Sequence, residues 1–230
     1  FRENQNLNAN SWGNKLTGAA RPPFNRAMFG GTLGGPILHD RLFFFVDYQG
    51  ARQHFSEVEN RTLLTAAQWA SAPVTNPAAL YLQAHPELYP VGSANPLIPN
   101  TTINYVGSSS QATVNDQGDA KIDWNASKSD TISGRVSIGR EHDGYSKVAV
   151  PTDIPTNNND PYTGFILNWT HVVSTNIVNE ARAGIGRTRY IQTPTDVSGK
   201  WGVTGNSKLG IPGTQLVPGF STLVIGNGAN

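Results

Sequence analysis

No cysteine occurs among the 230 residues, methionine occurs once, and charged side chains make up only 14% against roughly a quarter in an ordinary soluble domain. Without thiols, thiolate catalysis, disulfide scaffolds and cysteine-zinc sites are all excluded. Lys and Arg number 17 and Asp and Glu 16, a formal net charge of +1. That balance provides no basic stripe for nucleic acid, and no self-repulsion to keep the chain unfolded. The longest apolar stretch is five residues at 42–46 (Leu-Phe-Phe-Phe-Val), whereas a bilayer-crossing helix needs about 20. A transmembrane helix is therefore excluded. The chain opens Phe-Arg-Glu-Asn with no basic flank or apolar segment of a signal peptide, and reads as an internal piece of a longer protein.

What the sequence does have is glycine (24), proline (15), asparagine (22) and a period of two. Over 118–124 the even positions are Gly118, Ala120, Ile122 and Trp124, while Asp119, Lys121 and Asp123 fill the odd ones. After the polar knot 125–130 the alternation resumes with Ile132, Gly134, Val136 and Ile138 against Thr131, Ser133, Arg135 and Ser137. One apolar and one ionic face on each side of a turn predicts a hairpin. A second follows in Phe165, Leu167 and Trp169, then a turn at 174–175, then Ile177, Ala181, Ala183 and Ile185. A third runs through Phe29, Gly31 and Leu33 to a turn at 38–40 and returns with Leu42, Phe44, Val46 and Tyr48.

Strands are thus expected near 25–37, 41–55, 117–125, 130–141, 162–173 and 176–190, giving an all-β antiparallel up-and-down meander. The connections inside hairpins span two to four residues, while 3–24, 56–116, 142–161 and 191–230 are long. Strict alternation of short and long connections fits an outer-membrane barrel with short periplasmic turns and long outer loops. A Greek-key sandwich mixes the two ends. Amphipathic strands of this length with low mean hydropathy agree, because only the lipid-facing half of each strand must be apolar. Girdle positions are expected for Phe44, Trp124 and Trp169 near the turns, and for Tyr48, Tyr145, Tyr162 and Tyr190 toward the loops. Segment 56–116 is rich in Pro, Asn and Ala, with one helical turn expected at 65–72.

Chemical constellations are sparse. His39, His54, His85, His142 and His171 lack the i, i+4 spacing and Glu partner of a zinc site. Residues 157–160 (Asn-Asn-Asn-Asp) with Asp153 supply oxygen atoms but no ordered calcium spacing, so loop solvation is the preferred reading. Gly30, Gly31, Gly34 and Gly35 suit strand curvature better than a phosphate cradle. Neither a nucleophile elbow nor a P-loop occurs, and no enzyme, cofactor, metal or nucleic-acid partner is expected. The candidate functional residues are the polar ones expected to face the lumen: Asp119, Lys121, Asp123, Arg135, Glu180 and Arg182. Opposing Lys121 to Arg135 would be repulsive. Pairing Asp119 with Arg135 and Asp123 with Thr131 is favoured by roughly a few tenths of a kcal/mol and is the expected register.

Several segments together carry a family resemblance. Phe24-Asn25-Arg26, residues 29–37 (Phe-Gly-Gly-Thr-Leu-Gly-Gly-Pro-Ile), Arg41-Leu42-Phe43-Phe44-Phe45, Tyr48, Gly50 and Arg52 resemble the opening barrel strands of Oar-like TonB-dependent receptors. Residues 62–68, Asp116-Gln117 onward through Arg135, Val178-Asn179-Glu180-Ala181-Arg182 and Leu209-Gly210-Ile211-Pro212-Gly213 resemble later elements of that family, in order. The resemblance implies that Phe1-Arg2 ends a first barrel strand, and that the chain contributes about six full strands to a barrel that has ~22 in such transporters. It implies no plug, TonB box, regulatory-like domain or terminal barrel strand within these residues. It further implies a place in the outer membrane of a Gram-negative bacterium, contact with outer-membrane lipid, a transported ligand of unknown identity, and energy from the TonB–ExbB–ExbD system through a plug outside this chain. The competing expectation is a secreted or surface β-sandwich module binding carbohydrate or serving adhesion through Trp12, Trp69 or Trp201.

Overall fold

The structure, a computed structural model, describes residues 1–71, 75–196, 204–213 and 218–221. Its frame is one antiparallel sheet of eight strands: β1 (Arg2–Asn4), β2 (Phe24–Leu38), β3 (Leu42–Arg61), β4 (Tyr105–Asn125), β5 (Asp130–Lys147), β6 (Thr156–Ser174), β7 (Ile177–Thr188) and β8 (Ile191–Pro194). Strands β1 to β7 lie side by side in chain order, and β8 continues the line of β7 along the far end of β6. Among the described residues no second sheet packs on the first, so they do not form the two-sheet sandwich.

Tight turns close one end. At Leu38–Leu42 the chain reverses through Asp40 with a positive φ of 58°, a conformation that short polar residues adopt most readily after glycine. At 126–129, Ser127 Oγ donates to Asp130 Oδ2 at 2.7 Å and accepts from the Ser129 N–H at 3.0 Å, so the turn holds itself by local side-chain bonds.

Pairing brings the apolar positions of all strands into rows on one face. Leu33, Val46, Ala120, Val136, Phe165 and Ile185 form one such row, and Leu38, Leu42, Trp124, Ile132, Trp169 and Ala181 another. Among the described residues nothing covers this apolar face: Ile122, Val136 and Leu167 are 42%, 43% and 42% exposed and Ile185 73%. The opposite face carries Asp47, Asp119, Lys121, Asp123, Ser133, Arg135, Asn168 and Arg182.

Three expectations need correction. The strands are longer than expected on the loop side: β4 starts at Tyr105 rather than 117, β3 runs to Arg61, β5 to Lys147 and β6 begins at Thr156. Beyond Asp116 polar residues enter both faces of these strands, so pairing continues where clean hydrophobic alternation has stopped. The β4–β5 register sets Lys121 opposite Arg135, Asp119 opposite Ser137, Asp123 opposite Ser133 and Asn125 opposite Thr131. The expected register would have put the Asp130 carboxylate across from Trp124 on the apolar face. The adopted one places Ile132 there and relieves the charge conflict diagonally. Tyr145 and Tyr162 lie on the polar face, since Tyr162 shares a row with Gln117 and Gly139, and are not girdle residues.

The core lies in the long connections. Leu63, Leu82, Leu88, Tyr89, Val150, Ile154, Leu209 and Phe220 pack as one buried cluster, drawn from the β3–β4, β5–β6 and post-β8 segments. The described residues of segment 62–104 are therefore structured. The segment holds α1 (Ala66–Ala70), begun by a capping box between Thr65 and Gln68, and α2 (Pro77–Ala84), begun by Asn76 with Pro77 at its first position. Asn104 fastens it: its side chain accepts from the Leu63 N–H (2.8 Å) and donates to the carbonyls of Leu63 (2.9 Å) and Ser93 (3.1 Å). Gly92 must lack a side chain, because a Cβ there would meet the Asn104 amide at 2.5 Å.

Candidate functional site

The polar face is a sequence of short ion pairs and amide relays set by strand register. Arg135 on β5 reaches diagonally to Asp119 on β4, with Nε to Oδ1 at 3.0 Å and a terminal nitrogen to Oδ2 at 2.9 Å, and Ser137 donates to the same carboxylate. Lys121 turns the other way, with Nζ 2.8 Å from Asp123 Oδ1. Each cation thus has its own acid, and the opposed pair Lys121/Arg135 is held apart. A second relay crosses β5, β6 and β7: Arg182 pairs with Glu180 at 3.2 Å and donates from Nε to Asn168 Oδ1 at 2.6 Å, and Asn168 donates to Ser133 at 3.2 Å. All six candidate residues share one face in two clusters, Asp119/Lys121/Asp123/Arg135 and Glu180/Arg182.

Two hollows open on this face. One of about 440 Å³ is lined by Asn115, Gln117, Asp119, Arg135, Ser137, Glu141, Asp160 and Tyr162. Residues 157–160, weighed above as calcium oxygens, belong to β6, where Asn158 donates to Asp143 at 2.8 Å and Asn159 accepts from Arg140 at 2.7 Å. Among the described residues, no three His, Asp or Glu side chains gather as a metal would require. The other hollow, about 490 Å³, lies between the first loop (Gln5, Asn8, Asn14, Arg21) and Gln53, Phe55 and Glu57 of β3. The first hollow sets three carboxylates, Asp119, Glu141 and Asp160, beside Arg135, and the second sets Glu57 and Arg21 among amides and the Phe55 ring.

The loop cluster meets the same side at the loop end of β4. Tyr105, at the start of β4, packs against the loop core and donates to the Ala149 carbonyl at 3.0 Å. A Cβ on neighbouring Gly107 would strike the Ala149 side chain at 2.7 Å. Where cap meets strand, Arg61 sits between Glu59 and Asp153, 3.4 Å from the latter. Burial raises the Asp153 pKa against the lowering effect of Arg61, and burial likewise raises that of the Tyr89 hydroxyl. Glu87 is lowered by its own backbone N–H and by His85. Trp69, weighed above as an exposed binding residue, stacks edge-on against Tyr89 at 5.4 Å within the cap, while Trp12 is exposed. Trp201 lies outside the described residues.

Sequence reasoning missed the cap. The Asn76-Pro77 pair and the Thr65/Gln68 spacing were legible helix starts, but nothing local marks Val150, Ile154, Leu209 and Phe220 as partners of Leu63 and Leu88.

The sheet leaves its apolar rows bare, which water opposes and hydrocarbon allows. No helix of the described residues is long and apolar enough to cross a membrane. No match is found among curated proteins or among solved structures. All 230 residues, 1–230, match the family described as Outer membrane beta barrel domain. With its bare apolar rows explained by that family's surroundings, the chain belongs to the outer membrane β-barrel domain family, and its place is the cell outer membrane.

Proposed function

We propose that this chain is part of a TonB-dependent receptor of the Oar-like kind, which captures a solute at its outer loops and admits it past the polar face. The observation that carries this reading is the cap: residues from three separate connections share one core, joined to the polar side of β4 at its loop end through Tyr105. A barrel serving only as a membrane anchor has no use for a folded loop core at the mouth of an ion-lined wall. In this reading Asp119, Lys121, Asp123, Arg135, Glu180 and Arg182 form part of the wall that the solute or a plug touches. The work is carriage, not catalysis. Energy comes from the TonB–ExbB–ExbD system acting on a plug elsewhere in the protein.

The test is solute depletion from a defined mixture by cells carrying the intact gene, the deleted gene, or a gene lacking residues 62–104. The reading expects at least one solute whose uptake needs the gene and the cap segment, and stops when an uncoupler collapses the proton gradient. Equal depletion by all three strains, or uptake indifferent to the uncoupler, would contradict it.

A further inference from the structure

We propose that Arg140, Arg187 and Arg189 form an anchor, on the lipid-facing side of the barrel, for the phosphate of an anionic lipid headgroup in the loop-side leaflet. Register places the three together. Arg140 on β5 stands opposite Pro161 on β6, whose carbonyl accepts the Arg189 N–H at 3.1 Å, so Arg140, Pro161 and Arg189 share a row. Arg187 stands opposite Thr163, one row closer to the apolar band. Across two strand spacings the backbones of Arg140 and Arg189 are about 10 Å apart, and Arg187 lies roughly 7 Å below Arg189. Long guanidinium side chains can converge on one phosphate over that span.

The row in question is where the apolar band ends on the loop side. Below it come Ile138, then Val136, Phe165 and Ile185. All three arginines are exposed, and among the described residues none makes an ion pair. Arg140 donates from Nε to Asn159 Oδ1 at 2.7 Å, which holds its fork on this side of the sheet. The one acid nearby on the same face, Asp116, is already engaged: Arg52 donates to both of its oxygens (2.8 and 3.0 Å) and the Tyr48 hydroxyl to one of them (2.6 Å). The region therefore has positive charge in excess at headgroup depth. At the turn end the same face carries Trp124, Trp169, His171 and Asp130 instead, with Asp130 accepting from the Trp169 indole at 3.0 Å. Such asymmetry fits one leaflet and not the other. Phosphate oxygens match the planar arginine fork, and charge complementarity at the edge of hydrocarbon selects a lipid over a soluble partner.

The test uses the full-length gene product in detergent, offered equal amounts of phosphatidic acid and phosphatidylcholine, with retained lipid counted by native mass spectrometry. Wild type should retain phosphatidic acid preferentially. R140Q/R187Q/R189Q should weaken that retention roughly a hundredfold, at about fivefold per basic residue. The triple lysine variant should restore part of it, and K128Q, at the turn end, should leave it unchanged. Heat-modifiable gel migration checks that each variant folds; if the triple glutamine variant does not, R187Q alone should still give the single fivefold loss. Undiminished preference in a folded arginine variant would overturn the proposal. So would displacement of the lipid by equimolar inorganic phosphate, which would reveal a plain anion site.

Discussion

Asn104 and Asp153 show how much of the cap rests on single side chains. Replacing Asn104 by Ala leaves the Leu63 N–H and two carbonyls without their partner inside a packed loop, a cost of about 2–4 kcal/mol for buried groups losing their bonds. Limited proteolysis of N104A should cut within 62–104 while the strands stay protected. Asp153 behaves oppositely to a paired surface acid. Because burial raises its pKa in the folded state, its stabilising contribution is complete below the ordinary carboxylate value of about 3.9 and is lost as pH rises through the raised folded value. Hydrogen exchange at residues 150–154, corrected for intrinsic rates, should therefore show protection falling across that window in wild type and staying level in D153N. The same two residues mark where the sequence is silent: an Asn in an Asn-rich chain and an Asp in a proline-rich loop carry no local sign that the fold will bury them.

The hairpins were legible because lipid and lumen write a period of two into β4, β5 and β6. That script ends near Asp116 and Arg140, and so did the expected strands, although backbone pairing continues to Tyr105 and Lys147. The register error has the same root. Charge arithmetic over Asp119, Lys121 and Arg135 counted directly opposed residues, whereas Arg135 settled the matter by reaching two positions along the neighbouring strand and Lys121 by reaching two positions along its own. The two faces of β5 should answer a new charge very differently. V136R on the apolar face should destabilise the folded barrel by about 2–4 kcal/mol, as for a basic residue at mid-bilayer, while S137R, one residue on, should cost under about 1 kcal/mol. Urea titration of the refolded full-length protein in lipid vesicles measures both.

Taken whole, the molecule is an inverted object by the standards of water, with a bare apolar side, a polar wall, and a folded loop core at one end. Family membership explains the bare side. The absence of cysteine makes the decisive measurement clean, because any introduced thiol is unique within these residues. Nitroxide labels placed singly at Val136, Ser137, Leu167, Asn168 and Ile185 of the membrane-embedded protein report contact with lipid-dissolved oxygen. The account predicts high oxygen accessibility at 136, 167 and 185 and low accessibility at 137 and 168. Uniformly low values, or the opposite alternation, would place the apolar rows against protein and contradict it.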